Sequence, residues 1–266
     1  MESDDAIGSS PPSPAKPPAP RRRGCFGLSV FLVVLVGIGG VALSRAVNSA
    51  REAARRSACL CNLCAITVAM HNYHSEFGTF PPAHVRDRDG KPLYSWRVLI
   101  LPYMDSTGLS DQFRRDEPWD SPANARLIAR MPRIYLCPSR DTDRAERLGL
   151  TSYVAVTGPG SLFPHDRCVS IPDVKDGTAQ TLMVVESDQV EIPWTAPVDL
   201  DVRTMSRTVN DPKRPGISSP HPGGANVAFA DGSHRFLLDA TPSDKVGALL
   251  TIDGGESVDR EHLTRP

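Results

Sequence analysis

The residues of this chain able to do chemistry are six cysteines, seven histidines and several close pairs of carboxylates. Cys59, Cys61 and Cys64 have a spacing that invites a zinc reading, since thiolates are the ligands of a tetrahedral zinc ion. Their surroundings read as helix, where Cys59 and Cys61 lie about 200° apart around the axis, so the three sulfurs cannot meet on one ion. Cys59 alone falls on a buried stripe. Cys137 sits in the strand-like stretch Ile134 to Ser139, just before a turn. A Cys59–Cys137 disulfide, which an oxidising compartment would permit, and two buried free thiols are both open readings.

His221 and Asp231 are candidate ligands of a cation, with His234 or the carboxylates near Asp211 as further donors. Against that stands a local explanation. Asp231-Gly232 between apolar runs reads as a type I′ hairpin turn, and His221-Pro222-Gly223-Gly224 as a strand-entry loop. His71 and His74 share a helix face at i, i+3 and read as packing or surface residues. Trp96, Trp119 and Trp194 suit a ligand groove or a core beneath loops. Glu186/Asp188 and Asp199/Asp201 suit acid–base work or, as expected, solvated loop carboxylates. No G-x-S-x-G, H-E-x-x-H, P-loop or dinucleotide fingerprint is present, so no enzyme is expected. No cofactor is expected either; calcium is left open, although no run of alternating carboxylates supports it.

The elements that would position these residues follow from periodicity. Leu63, Ile66, Met70, Tyr73 and Phe77 recur at spacings of three and four, the buried stripe of an amphipathic helix that extends back to Cys59. No proline or glycine occurs between Ala46 and Phe77, and Gly78 with Pro81-Pro82 supplies the stop. One helix over residues 25–77 is expected. Apolar, β-prone runs follow at 95–101, 133–137, 151–157, 181–186, 225–230 and 234–238. Short helices are expected at 122–130, capped by Ser121, and 244–250, capped by Ser243. The order predicts an α+β domain: a long N-terminal helix packed on an antiparallel sheet, with long loops that 25 prolines punctuate.

The uncharged apolar run from Gly24 to Ser44 spans roughly 31 Å as a helix, about one bilayer core. It is longer than the usual apolar core of a secretory signal, so a retained single-span anchor is expected. Three domains result: a proline-rich tail over 1–23, a transmembrane segment over 24–45 and an exported domain over 46–266. Arg21-Arg22-Arg23 favours a cytoplasmic N-terminus at the inner membrane, although Arg45, Arg51, Arg55 and Arg56 follow the span. A formal net charge of −1, with acids and bases interspersed, gives no case for a nucleic-acid partner.

A series of short stretches, in order along the chain, carries a resemblance. They include Ala50-Arg51-Glu52-Ala53-Ala54-Arg55-Arg56, His71-Asn72-Tyr73-His74, Phe80-Pro81-Pro82-Ala83, Ser95-Trp96-Arg97-Val98-Leu99, Cys137-Pro138-Ser139 and Asp176-Gly177-Thr178. The C-terminal one is His221, nine residues, then Asp231-Gly232. On these the chain resembles the planctomycete prepilin-like proteins, with a type IV pilin-like N-terminal helix and a domain of unknown function 1559. The resemblance implies a pseudopilin-like molecule whose helix is both anchor and assembly element. A prepilin leader ends in Gly, before an aromatic residue or Met, with Glu at the fifth position beyond. Here Arg21-Arg22-Arg23-Gly24 is followed by Cys25, and Ser29 holds the fifth position, so an uncleaved anchor is expected.

The expected function is a membrane-anchored structural or assembly protein of the cell envelope, linked to a type II secretion or type IV pilus-like system. Its expected partners are the membrane, further copies of itself and other envelope proteins. The alternative is a surface-anchored module whose loops bind a solute or glycan.

Overall fold

The computed structural model describes residues 25–104, 108–256, 258, 264 and 265, without the side chains of 25–30, 32–36, 264 and 265. The tail expected over 1–23 lies outside them. The chain divides into two compact units, Met1–Ser49 and Ala50–Pro266. One helix, α1, runs over Cys25–Phe77. It stops where Gly78 turns the backbone to a φ of 75° and its N–H donates to the His74 carbonyl. No helix among the described residues is long and apolar enough to cross a membrane. The run Gly24–Ser44 read above as a span falls largely among the side chains outside that description.

In the second unit, Cys59, Leu63, Ile66 and Met70 are fully buried. Burial of each of the three larger side chains contributes about 1.5–3 kcal/mol. The stripe then runs out: Tyr73 is half-buried, and Phe77 is 56% exposed rather than in the core. Phe77 occupies the last residue of the helix, and its ring lies 4.4 Å from that of Tyr73.

Eight strands follow: β1 (His84–Arg86), β2 (Pro92–Ser95), β3 (Tyr153–Thr157), β4 (Leu182–Glu186), β5 (Leu200–Asp201), β6 (Gly224–Phe229), β7 (His234–Leu238) and β8 (Thr264–Arg265). The first two form a small hairpin. The others make one sheet in the order β5-β3-β4-β6-β7-β8, antiparallel throughout except for the parallel β3–β5 pair. The architecture is α+β. Side-chain alternation splits the core in two. Tyr153, Ala155 and Ala228 share a cluster with the α1 stripe, while Val154, Val156, Val227 and Phe229 pack with Val246 and Leu249. A bulge in β4 between Leu182 and Val184 lets Met183 and Val184 both join the α1 cluster.

Several local expectations need correction. Over residues 95–101, strand β2 ends at Ser95 and a turn of helix, Trp96–Leu99, begins, because the Ser95 hydroxyl accepts from the Arg97 N–H as an N-cap. Residues 133–137 form a 3-10 turn over Arg133–Tyr135, bracketed by Pro132 and Pro138, which cannot donate to a ladder. The helix expected over 122–130 covers only Ala125–Ile128, with the Ser121 hydroxyl accepting from the Asn124 N–H. The last helix is Ser243–Ala248, with Pro242 rather than Ser243 at its cap. The Asp-Gly hairpin is present but not as type I′: only Gly232 has a positive φ, 82°, and its N–H donates to Phe229. This is a type I turn closed by a glycine bulge.

Candidate functional site

Four segments far apart in sequence meet on the α1 face of the sheet. From α1 come Glu52 and Cys59, seven residues and therefore two turns apart on one side of the helix. Cys137 follows the 3-10 turn, and its backbone N–H donates to the Ser152 hydroxyl at 3.0 Å. Glu186 ends β4. His221 lies in the loop leading into β6, where its N–H donates to the Ser219 hydroxyl.

The imidazole of His221 is the hub. Its Nδ1 lies 2.5 Å from Glu52 Oε1. Its Nε2 is 3.3 Å from Cys59 Sγ, 3.4 Å from Cys137 Sγ and 3.6 Å from Glu186 Oε1. The two sulfurs are 2.7 Å apart and unbonded. Cys59, Cys137, Glu186 and His221 are each no more than 2% exposed. Glu186 Oε2 accepts from both the backbone and side-chain amides of Asn226, at 2.8 and 3.0 Å, while Oε1 has no hydrogen-bond partner and faces the imidazole. Glu52 is held from its other side by Arg55 and by the Ser139 hydroxyl, which also accepts from Arg55 at 2.9 Å.

Electrostatics follow the geometry. Burial alone would lower the His221 pKa; its contacts with Cys137, Glu186 and Glu52 outweigh that and raise it to about 10. Contact with Cys59, opposed by burial and assisted by His221, brings the Cys137 thiol down to about 6. Contact with Cys137 and burial push the Cys59 thiol up. Burial works against ionisation of Glu52, yet its hydrogen bonds with His221 and Arg55 leave its pKa lowered.

The sequence candidates are distributed unevenly over this geometry. Cys59, Cys137 and His221 come together, and Cys59, Cys137, Glu186 and His221 offer four ligand atoms within 4.8 Å of one another. Asp231 is not among them; it caps the β6–β7 turn, where its carboxylate accepts from Ser233. Cys61 is exposed and Cys64 half-buried, away from the cluster. His71 and His74 lie against Phe80, with ring centroids 5.5 and 4.9 Å away. Trp96 and Trp194 are fully buried core residues and line no groove.

Two carboxylates depart from the solvated-loop expectation. Glu186 is buried in the hub, and Asp199 is buried against Arg97, whose Nη2 lies 2.5 Å from its Oδ1. Burial, against the pull of Arg97, leaves the Asp199 pKa raised. Glu52 was visible in sequence only as part of the stretch Ala50–Arg56. The alternation of β4, which turns Glu186 toward α1, was hidden by the bulge.

The family described as a protein of unknown function (DUF1559) matches residues 48–211. The chain belongs to this family. The DUF1559 match includes Glu52, Cys59, Cys137 and Glu186 and ends before His221. No curated protein and no solved structure matches the chain.

Proposed function

We propose that this DUF1559 protein is a membrane-anchored, pseudopilin-like structural protein of the cell envelope. In this reading the N-terminal part of α1 sits in the inner membrane, with the tail cytoplasmic and the second unit on the outer side. The observation that carries the reading is the double use of α1. Its C-terminal stripe is core to the second unit, whereas Phe31, Ile38, Val41, Leu43 and Val47 on the same helix are all at least 40% exposed. An apolar helix surface of that kind calls for lipid or another helix. Uncleaved copies would associate through these helices and through their heads.

The buried hub supports a non-enzymatic role. Cys137, His221 and Glu52 have the nucleophile–base–orienter order of a catalytic triad. At 2% exposure for Cys137 and His221, however, no substrate reaches the sulfur or the imidazole. A photo-crosslinking residue placed at Val41 tests the assembly reading in intact membranes. Ladders of self-crosslinked product are expected. An exclusively monomeric protein would contradict assembly.

A second reading, a solute-binding module, has one observation in its favour. Pro82, His84, Arg86, His165, Arg167 and Cys168 line a cleft of about 300 Å³, in which the His84 and His165 rings lie 5.8 Å apart. Its volume is at the small end for ligand sites. Retention of a small anionic solute by the purified monomer would favour it.

A further inference from the structure

We propose that Cys59 and Cys137 form a disulfide that fastens α1 to the sheet, beside the His221 imidazole that sits between Glu52 and Glu186. The bond needs an oxidising compartment and so rests on the export reading above.

The cluster admits two covalent fates, a shared metal ion or a sulfur–sulfur bond. Two thiolates on one tetrahedral zinc stand about 3.8 Å apart, given zinc–sulfur distances of about 2.3 Å. Here the sulfurs are 2.7 Å apart. They would have to separate by about 1 Å to share an ion, inside a core where both side chains are already closely packed. Closing to a bond of about 2.0 Å asks less movement. The remaining donors also have occupations that need no metal. Glu186 is held by Asn226 and faces the imidazole, and Glu52 takes the other ring nitrogen. An imidazole with one ring nitrogen on Glu52 and the other facing Glu186 occupies these donors without a metal ion.

The chemistry balances with an external disulfide as oxidant. The Cys137 thiolate attacks one sulfur of that disulfide and releases its partner as a thiolate. Cys59, losing its proton, then attacks the Cys137 sulfur of the mixed disulfide and releases the second thiolate. Two protons and two electrons leave the pair, and the oxidant departs as two thiols. Because both sulfurs are buried in the finished fold, the exchange takes place before α1 is fully seated.

The test uses the full chain, isolated from membranes, with free thiols blocked by N-ethylmaleimide under denaturing conditions. Trypsin digestion without reduction should then yield residues 57–86 joined to residues 134–140. Changing Cys61 and Cys64 together to Ser should leave the link, and Cys59→Ser should abolish it. A parallel sample is unfolded, reduced and refolded in mixed reduced and oxidised glutathione. A link in the refolded protein but not in the cellular one upholds the pairing and overturns export. Maleimide on Cys137 in both samples overturns the pairing, as does one equivalent of zinc retained with both thiols free.

Discussion

His221 Nδ1 and Glu52 Oε1 stand 2.5 Å apart across 169 residues of chain. The contact joins the helix that would anchor the protein to the loop that opens its longest sheet strand. On its other nitrogen the same imidazole faces the buried Glu186. His221→Gln leaves that carboxylate without its cation, and a buried charge stripped of its partner costs about 3–5 kcal/mol. Urea unfolding should show a loss of this size. Adding Glu186→Gln should recover part of it, because the stranded charge is then gone.

The same hub predicts a pH dependence. With Cys59 and Cys137 as free thiols, the folded His221 pKa is raised to about 10, against 6.5 for the free side chain, contact with Cys137 being the largest raising cause. The folded state therefore binds the proton more tightly, and this stabilisation is complete below about pH 6.5. It declines as pH rises and is gone once pH passes about 10. Melting temperatures of the reduced parent protein should fall between pH 7 and 10, and the fall should be shallower in reduced His221→Gln. Equal slopes in the two proteins would remove His221 as the cause.

Cys137→Ala should destabilise the second unit. The cysteines lie 78 residues apart, and loss of a native disulfide typically costs 2–5 kcal/mol. Adding reductant to the unfolded parent protein and measuring refolded stability should give a loss in the same range. A variant as stable as the oxidised parent would show that the pair contributes no fastening.

Arg97 offers an independent check on the core. Its guanidinium donates to Asp199, to the Tyr153 carbonyl and to the Ser95 hydroxyl, with its side chain wholly buried. Arg97→Met strands Asp199, and a loss of about 3–5 kcal/mol is expected by denaturant titration. The double change Arg97→Met with Asp199→Leu should be closer to the parent than Arg97→Met alone.

Much of this framework was legible in the sequence because it is written in local patterns. The spacing of Leu63, Ile66 and Met70 with the stop at Gly78 gives α1, and the apolar, β-prone runs give β3, β4, β6 and β7. What was not legible depends on tertiary context. Ser95 turns a β-prone run into helix through one side-chain cap, and Asp141 likewise caps an unforeseen helix over Thr142–Leu148. The hub was half-visible: Cys59 followed from the stripe and Cys137 from its apolar neighbours. Glu52 and Glu186 looked like ordinary surface acids, since nothing local shows that the β4 bulge and the β6 entry loop bring an imidazole between them.

Central to the account is an anchored helix with its head on the outer side of the inner membrane. The direct measurement is protease accessibility of the second unit in spheroplasts, combined with alkaline carbonate extraction of the membranes. Retention of the chain in the carbonate pellet, with residues 50–266 digested from outside, is the predicted result. A chain released by carbonate, or a second unit digested only after the inner membrane is broken, would contradict it.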